Sequence, residues 1–228
     1  MILHLPFLLL GLALLWFPRG WMRRGWAFLR RRRRSSDVAR ITEPWHDREP
    51  GDPHVAFRIE FTKFRNYLDL LRGGAGSIVL MGGIGLEPAI ARAPGASSFS
   101  TWEVLAIVSF IFLVGLLVQT LRYEKRRVTF YPPIFYLAGL SIGLCDVRAA
   151  AFAFVMIWAI NPALPNAQAF LTVYAAMMVI FGHFFAWSSD LSALLAGLLC
   201  FLPVLLSLLA KRPLLIFARK STRAHGHP

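Results

Sequence analysis

The sequence predicts an all-α, polytopic integral membrane protein of about five to seven transmembrane or re-entrant helices, with two cytoplasmic interfacial amphipathic helices beside them. Three observations carry this. Hydrophobic residues make up 57% of the 228 positions and charged residues only 16%, well under the quarter or so usual for soluble domains. Apolar runs approaching or reaching spanning length recur along the chain, and nearly every basic residue stands beside the end of one. A net charge of +13 would suggest nucleic acid in a soluble protein, but next to apolar spans the nearer partners are the lipid bilayer and its anionic headgroups, with no nucleic acid.

The sequence divides into a membrane anchor at 1–18, a basic cytoplasmic segment at 19–72, a polytopic membrane domain at 73–210 and a basic cytoplasmic tail at 211–228. Residues 2–17 are apolar and are followed, not preceded, by Arg19, Arg23 and Arg24, and the run closes on Trp16, Phe17 and Pro18 rather than on small residues. That polarity predicts a retained anchor with its N-terminus outside, either spanning or lying shallow in the interface.

On a helical wheel, residues 21–34 gather Trp21, Met22, Trp26, Phe28 and Leu29 on one arc and Arg23, Arg24, Arg30, Arg31 and Arg34 on the other. This predicts an in-plane helix with tryptophans Trp21 and Trp26 at headgroup level and the arginines on lipid phosphate. Residues 35–56 read as a proline-containing loop, in which His46, Asp47, Glu49, Asp52 and His54 are the only crowded metal-ligand types, at a spacing that matches no known site. From 57 to 72 the stripe Phe57, Phe61, Phe64, Leu68, Leu71 predicts a second surface helix, seated on lipid or on the membrane domain, with Arg58, Lys63, Arg65 and Arg72 on its polar flanks.

Gly73 to Gly76 is expected to break that helix, and the glycine-rich run 76–91, interrupted by Glu87 and Pro88, to cross or re-enter with close helix packing. Residues 102–121 form the clearest span, ending on Arg122, Lys125, Arg126 and Arg127. The runs 131–145 and 147–160, parted at Asp146, admit a tight helical hairpin, a re-entrant pair or one long helix. Residues 169–187 and 191–210 are both of spanning length and precede a basic tail from Lys211 to Arg223. Placing both basic clusters on one side requires an even number of crossings between them, which disfavours the single long helix.

In this topology every Lys and Arg except Arg92 and Arg148 is cytoplasmic, and the protein is a multi-pass bacterial inner-membrane protein with its C-terminus inside. Glu87, Arg92, Glu103, Asp146, Arg148, His183 and Asp190 then fall near the opposite helix ends, where Asp146 and Asp190 also suit helix caps. From this set, His183 and Glu87 are the candidate proton-exchanging groups, and Arg148, Asp146, Asp190 and Arg92 the candidate substrate or anion-binding residues. Catalytic signatures such as HExxH, GxSxG and the phosphate-binding GK[ST] are absent, the cofactor is left unknown, and Cys145 and Cys200 form no ligand spacing.

Three functions fit. The first is a non-enzymatic accessory or assembly subunit docking on other membrane subunits. The second is a small transporter or flippase for an anionic or lipid-linked substrate. The third is a membrane enzyme acting on a lipid-linked substrate, which requires Arg148 and His183 to converge.

Overall fold

A computed structural model describes residues 4–18, 55, 57–84, 102–124, 127–145, 147–186, 191–211 and 214. The elements are α1 (Leu5–Trp16), α2 (Phe57–Thr62), α3 (Phe64–Gly83), α4 (Trp102–Thr120), a hairpin of β1 (Leu121–Glu124) and β2 (Arg127–Phe130), α5 (Ile134–Leu144), α6 (Val147–Ile160), α7 (Ala167–Ala186) and α8 (Leu191–Leu209). The protein is thus mostly helical. Among the described residues two helices are long and apolar enough to cross a membrane, α7 over Ala167–Phe185 and α8 over Leu191–Leu209. They point to membrane association.

Local sequence explains most boundaries. Pro6 sits in the first turn of α1, where its missing N–H costs nothing, and Phe17 turns extended before Pro18 to end the helix. Pro133 precedes α5, and the Asn161–Ala163 turn of 3-10 helix, with Pro162 inside it, ends α6. Asn166 caps α7 by accepting the Ala169 N–H at 2.8 Å. In the hairpin, Leu121 faces Phe130 and Glu124 faces Arg127, and Phe130 also bridges in parallel to Leu214.

The helices pack in alternating directions. Gly11 meets Leu80, Gly76 meets Leu15 and Gly83 meets Leu8, so α1 and α3 are antiparallel. Gly73 lies against Tyr136 and Leu140, and Gly143 against Ser77, so α3 and α5 run parallel. Trp158 on Phe170 and Phe152 on Phe181 make α6 and α7 antiparallel. Gly182 on Ala193, Gly197 on Val179 and the Gln168 amide donating to Ser207 Oγ at 2.9 Å do the same for α7 and α8. Helix α5 is the centre, with every residue but Ile142 buried.

Glycines let these backbones touch. A Cβ on Gly73 would stand 2.5 Å from the Tyr136 carbonyl oxygen, and one on Gly83 would stand 2.6 Å from the Leu8 nitrogen, so only hydrogen fits. At the hairpin end, Phe57, Phe61, Phe154 and Phe170 pack edge to face on Trp158, and Phe135 lies tilted against it.

Several expectations are corrected. Residues 57–72 are not one surface helix: the chain breaks at Lys63, where Glu60 pairs with Lys63 and accepts the Asn66 amide on its backbone carbonyl at 2.8 Å. The glycines after Arg72 do not end a helix, since α3 continues to Gly83. Arg72 is not on a polar flank but buried, while Phe64 and Leu71, at 69% and 66% exposed, do not pack on the helices around them. The region 131–160 is two helices in an antiparallel pair, which excludes the single long helix. The hairpin after α4 was not expected at all.

Candidate functional site

Helix α3 is built inside out. Asn66, Asp69, Arg72, Gly73, Gly76, Ser77 and Leu80, which recur with the period of a helix, lie on its buried face, and Phe64, Leu68 and Leu71 face outward. A helix that turns carboxylate and guanidinium inward and leucines outward minimises its free energy in an apolar solvent.

The buried charges meet the C-terminal end of α1. Arg72 Nη2 donates to Asp69 Oδ1 at 3.2 Å, one turn earlier on the same helix. Its Nη1 donates to the Phe17 carbonyl at 2.7 Å, and its guanidinium carbon lies 5.4 Å from the Tyr136 ring centre. Gln119 Nε2, from the last turn of α4, donates to the same Phe17 oxygen at 3.0 Å and lies 3.4 Å from the Leu15 oxygen. Tyr136 from α5 donates its hydroxyl to Leu15 at 3.1 Å, and Trp16 Nε1 returns a bond to the Ile111 carbonyl at 2.9 Å.

The reason for this convergence is the helix terminus itself. The last carbonyls of a helix have no partner within it, and their combined dipole carries about half a negative charge. Away from water each unsatisfied carbonyl costs several kcal/mol. Three helices supply donors for the end of α1, one of them cationic. Asp69 then compensates the guanidinium, so the cluster is close to neutral. Arg72 Nε, Gln119 Oε1 and Thr120 Oγ1 are buried without a hydrogen-bond partner.

Of the candidate proton-exchanging and anion-binding residues, two are described. Arg148 lies in the first turn of α6 and His183 in the last turn of α7. Phe152 packs on Phe181 and Phe185, which brings both turns to the same end of the helix pair, and both side chains are exposed. Glu87, Arg92, Asp146 and Asp190, the lipid-facing set Trp21, Trp26, Arg23, Arg24, Arg30, Arg31 and Arg34, and the loop ligands His46, Asp47, Asp52 and His54 lie outside the described residues. Among the described residues no three His, Cys, Asp or Glu side chains gather as a metal site.

Sequence reasoning missed Asn66, Asp69, Gln119 and Tyr136. The signal was present: a polar and small stripe from Asn66 to Ser77 keeps helical spacing through the glycines, opposite an equally regular apolar one.

Fold and site together show a mostly helical protein, two of whose described helices are long and apolar enough to cross a membrane, with buried charges that join helices to one another. The chain matches no known family model, no characterised protein and no solved structure.

Proposed function

We propose that this chain is a multi-pass inner-membrane protein acting as a non-enzymatic accessory or assembly subunit of a membrane complex. The observation that carries the reading is the use of the buried polar groups. Arg72, Gln119 and Tyr136 are committed to the end of α1, and Gln168 to Ser207, so they act as joints of a scaffold.

The alternating helix directions support the multi-pass topology. The ends of α1, α4, α6 and α8 share one side with the starts of α3, α5 and α7, and this is the side on which the sequence concentrates its basic residues. The broad outward display of Phe7, Leu10, Phe110, Val155, Phe184 and Leu198 supports lipid contact on many sides. Helices of 12, 11 and 14 residues for α1, α5 and α6 fall short of the roughly 30 Å apolar core, so the bilayer thins beside α1 and α6.

Native mass spectrometry of the protein extracted gently from its own membrane tests the role. A stoichiometric complex with other polypeptides is expected; a solitary chain carrying a defined lipid or glycolipid overturns the accessory reading. One observation favours a transporter instead: a buried Asp69–Arg72 pair whose Arg72 Nε has no partner. That reading requires Asp69→Asn to abolish a flux in proteoliposomes while the protein remains folded.

A further inference from the structure

Helix α1 is short for the bundle in which it stands. Its 12 residues rise about 18 Å, while the 19 residues of α4 beside it rise about 28 Å. The two run parallel and finish level: Gln119 in the last turn of α4 donates to the Phe17 carbonyl at 3.0 Å, and the Trp16 indole bonds back to Ile111, two turns earlier. The start of α1 therefore stops about 10 Å short of the start of α4. Helix α3 closes at the same level, where the His4 N–H donates to the Gly83 carbonyl at 2.8 Å and Ile84 caps the helix. Leu5, Phe7, Leu9 and Leu10 of α1 are each more than half exposed, so the short helix turns an apolar face outward. Tilting cannot match such a helix to a roughly 30 Å apolar core, because tilt shortens its span; the bilayer thins to meet it.

We propose that the outward side of α1, with the end of α3 beside it, is a path for phospholipid scrambling, the exchange of phospholipids between leaflets in both directions without an energy source. This activity presupposes the multi-pass topology proposed above. The barrier to exchange is the passage of a charged headgroup through the apolar core. Where that core narrows from roughly 30 Å to about 18 Å, the headgroups and water of the two leaflets approach one another, and the stretch crossed without hydration shortens. Exchange down no gradient consumes no energy, so the activity requires neither a nucleotide nor a coupled ion. Length selects phospholipid over a partner helix as the occupant: a helix of full spanning length laid on α1 would overreach both α1 and α3 by about 10 Å and leave its own outer turns uncovered.

The test reconstitutes the full chain into phosphatidylcholine vesicles carrying a trace of NBD-labelled phosphatidylcholine and follows bleaching by dithionite, which reaches only the outer leaflet. Inner-leaflet label should be lost about tenfold or more faster than in protein-free vesicles. A variant with two helical turns of leucine and alanine inserted between His4 and Leu5 carries α1 up to the level of α4, leaves the packed stretch from Leu8 to Trp16 untouched, and should lose most of the acceleration. Circular dichroism and gel filtration check its fold. A second measure needs no variant: vesicles of shorter-chain phosphatidylcholine leave less mismatch and should show a smaller acceleration. No acceleration by the unmodified chain, equal acceleration by the lengthened one, or an acceleration independent of lipid chain length each overturns the proposal. Topology is read apart from it, by maleimide labelling of His4→Cys and Lys211→Cys in spheroplasts. Labelling from opposite faces without scrambling defeats the scrambling activity alone, whereas labelling from one face defeats the multi-pass reading and the activity together.

Discussion

Arg72 donates from Nη1 to the carbonyl oxygen of Phe17 at 2.7 Å, across 55 positions of sequence, and so places a full positive charge on the negative end of helix α1. Tyr136 and Gln119 share that work. The three donors make the α1 terminus a point at which α1, α3, α4 and α5 are all fixed together.

Breaking this joint from one side should be worse than removing it. Arg72→Met and Asp69→Leu each leave the other charge buried alone and should cost about 3–5 kcal/mol, whereas the double variant should recover much of the loss. Reversible unfolding in mixed micelles measures the cycle; additive single costs would mean that the pair is not coupled.

Glycine substitutions should divide by packing. Gly73→Ala and Gly139→Ala push a methyl group into the backbone of the facing helix and should destabilise by about 1–3 kcal/mol. Gly82→Ala meets nothing within 4 Å and should be neutral or gain up to about 1 kcal/mol. Thermal unfolding of the three variants side by side checks the ordering.

Trp158→Ala removes the ring on which Phe57, Phe61 and Phe170 pack, and truncation of a buried aromatic costs about 3–5 kcal/mol. Because these rings join α2, α5, α6 and α7, proteolysis near residue 55 should accelerate in the variant. Unchanged cleavage would show that the cluster does not hold the segment before α2.

Topology has its own check. In a Cys145→Ser/Cys200→Ser background, His4→Cys should react with a membrane-impermeant maleimide applied to intact spheroplasts, and Lys211→Cys only after permeabilisation. Both positions are exposed. The reverse pattern inverts the orientation.

Much of the helix content was legible because apolar runs bounded by prolines and charges leave little choice. Residues 5–16, 102–120, 167–186 and 191–209 follow the sequence closely. Helix α3 did not, for a reason of sign. The stripe Phe64, Leu68 and Leu71, read as resting on lipid or on the membrane domain, lies on the outer face of α3, and it is the opposite, polar face that is buried. Arg72 was assigned to a surface because an isolated arginine belongs there; Asp69, one turn earlier, is its local partner, but the others, the Phe17 carbonyl 55 residues before it and the Tyr136 ring in α5, are distant in sequence. Gly73 to Gly76 was read as punctuation, whereas its role is to admit a neighbouring backbone. The hairpin was hidden in a charge run whose strand pairing depends on contacts outside itself, among them the bridge from Phe130 to Leu214.

The position of α1 has a consequence for biogenesis. It precedes every partner it needs in the order of synthesis: the indole of Trp16 bonds to Ile111, and the Leu15 carbonyl receives the hydroxyl of Tyr136, 121 residues later. Until α5 has emerged, the end of α1 carries carbonyls that its own helix cannot satisfy. On the multi-pass reading proposed above, a ribosome translating this chain would hold an incomplete helix for more than half the length of the message, and the end of α1 would have to be sheltered or left at the water boundary until the last donor arrives.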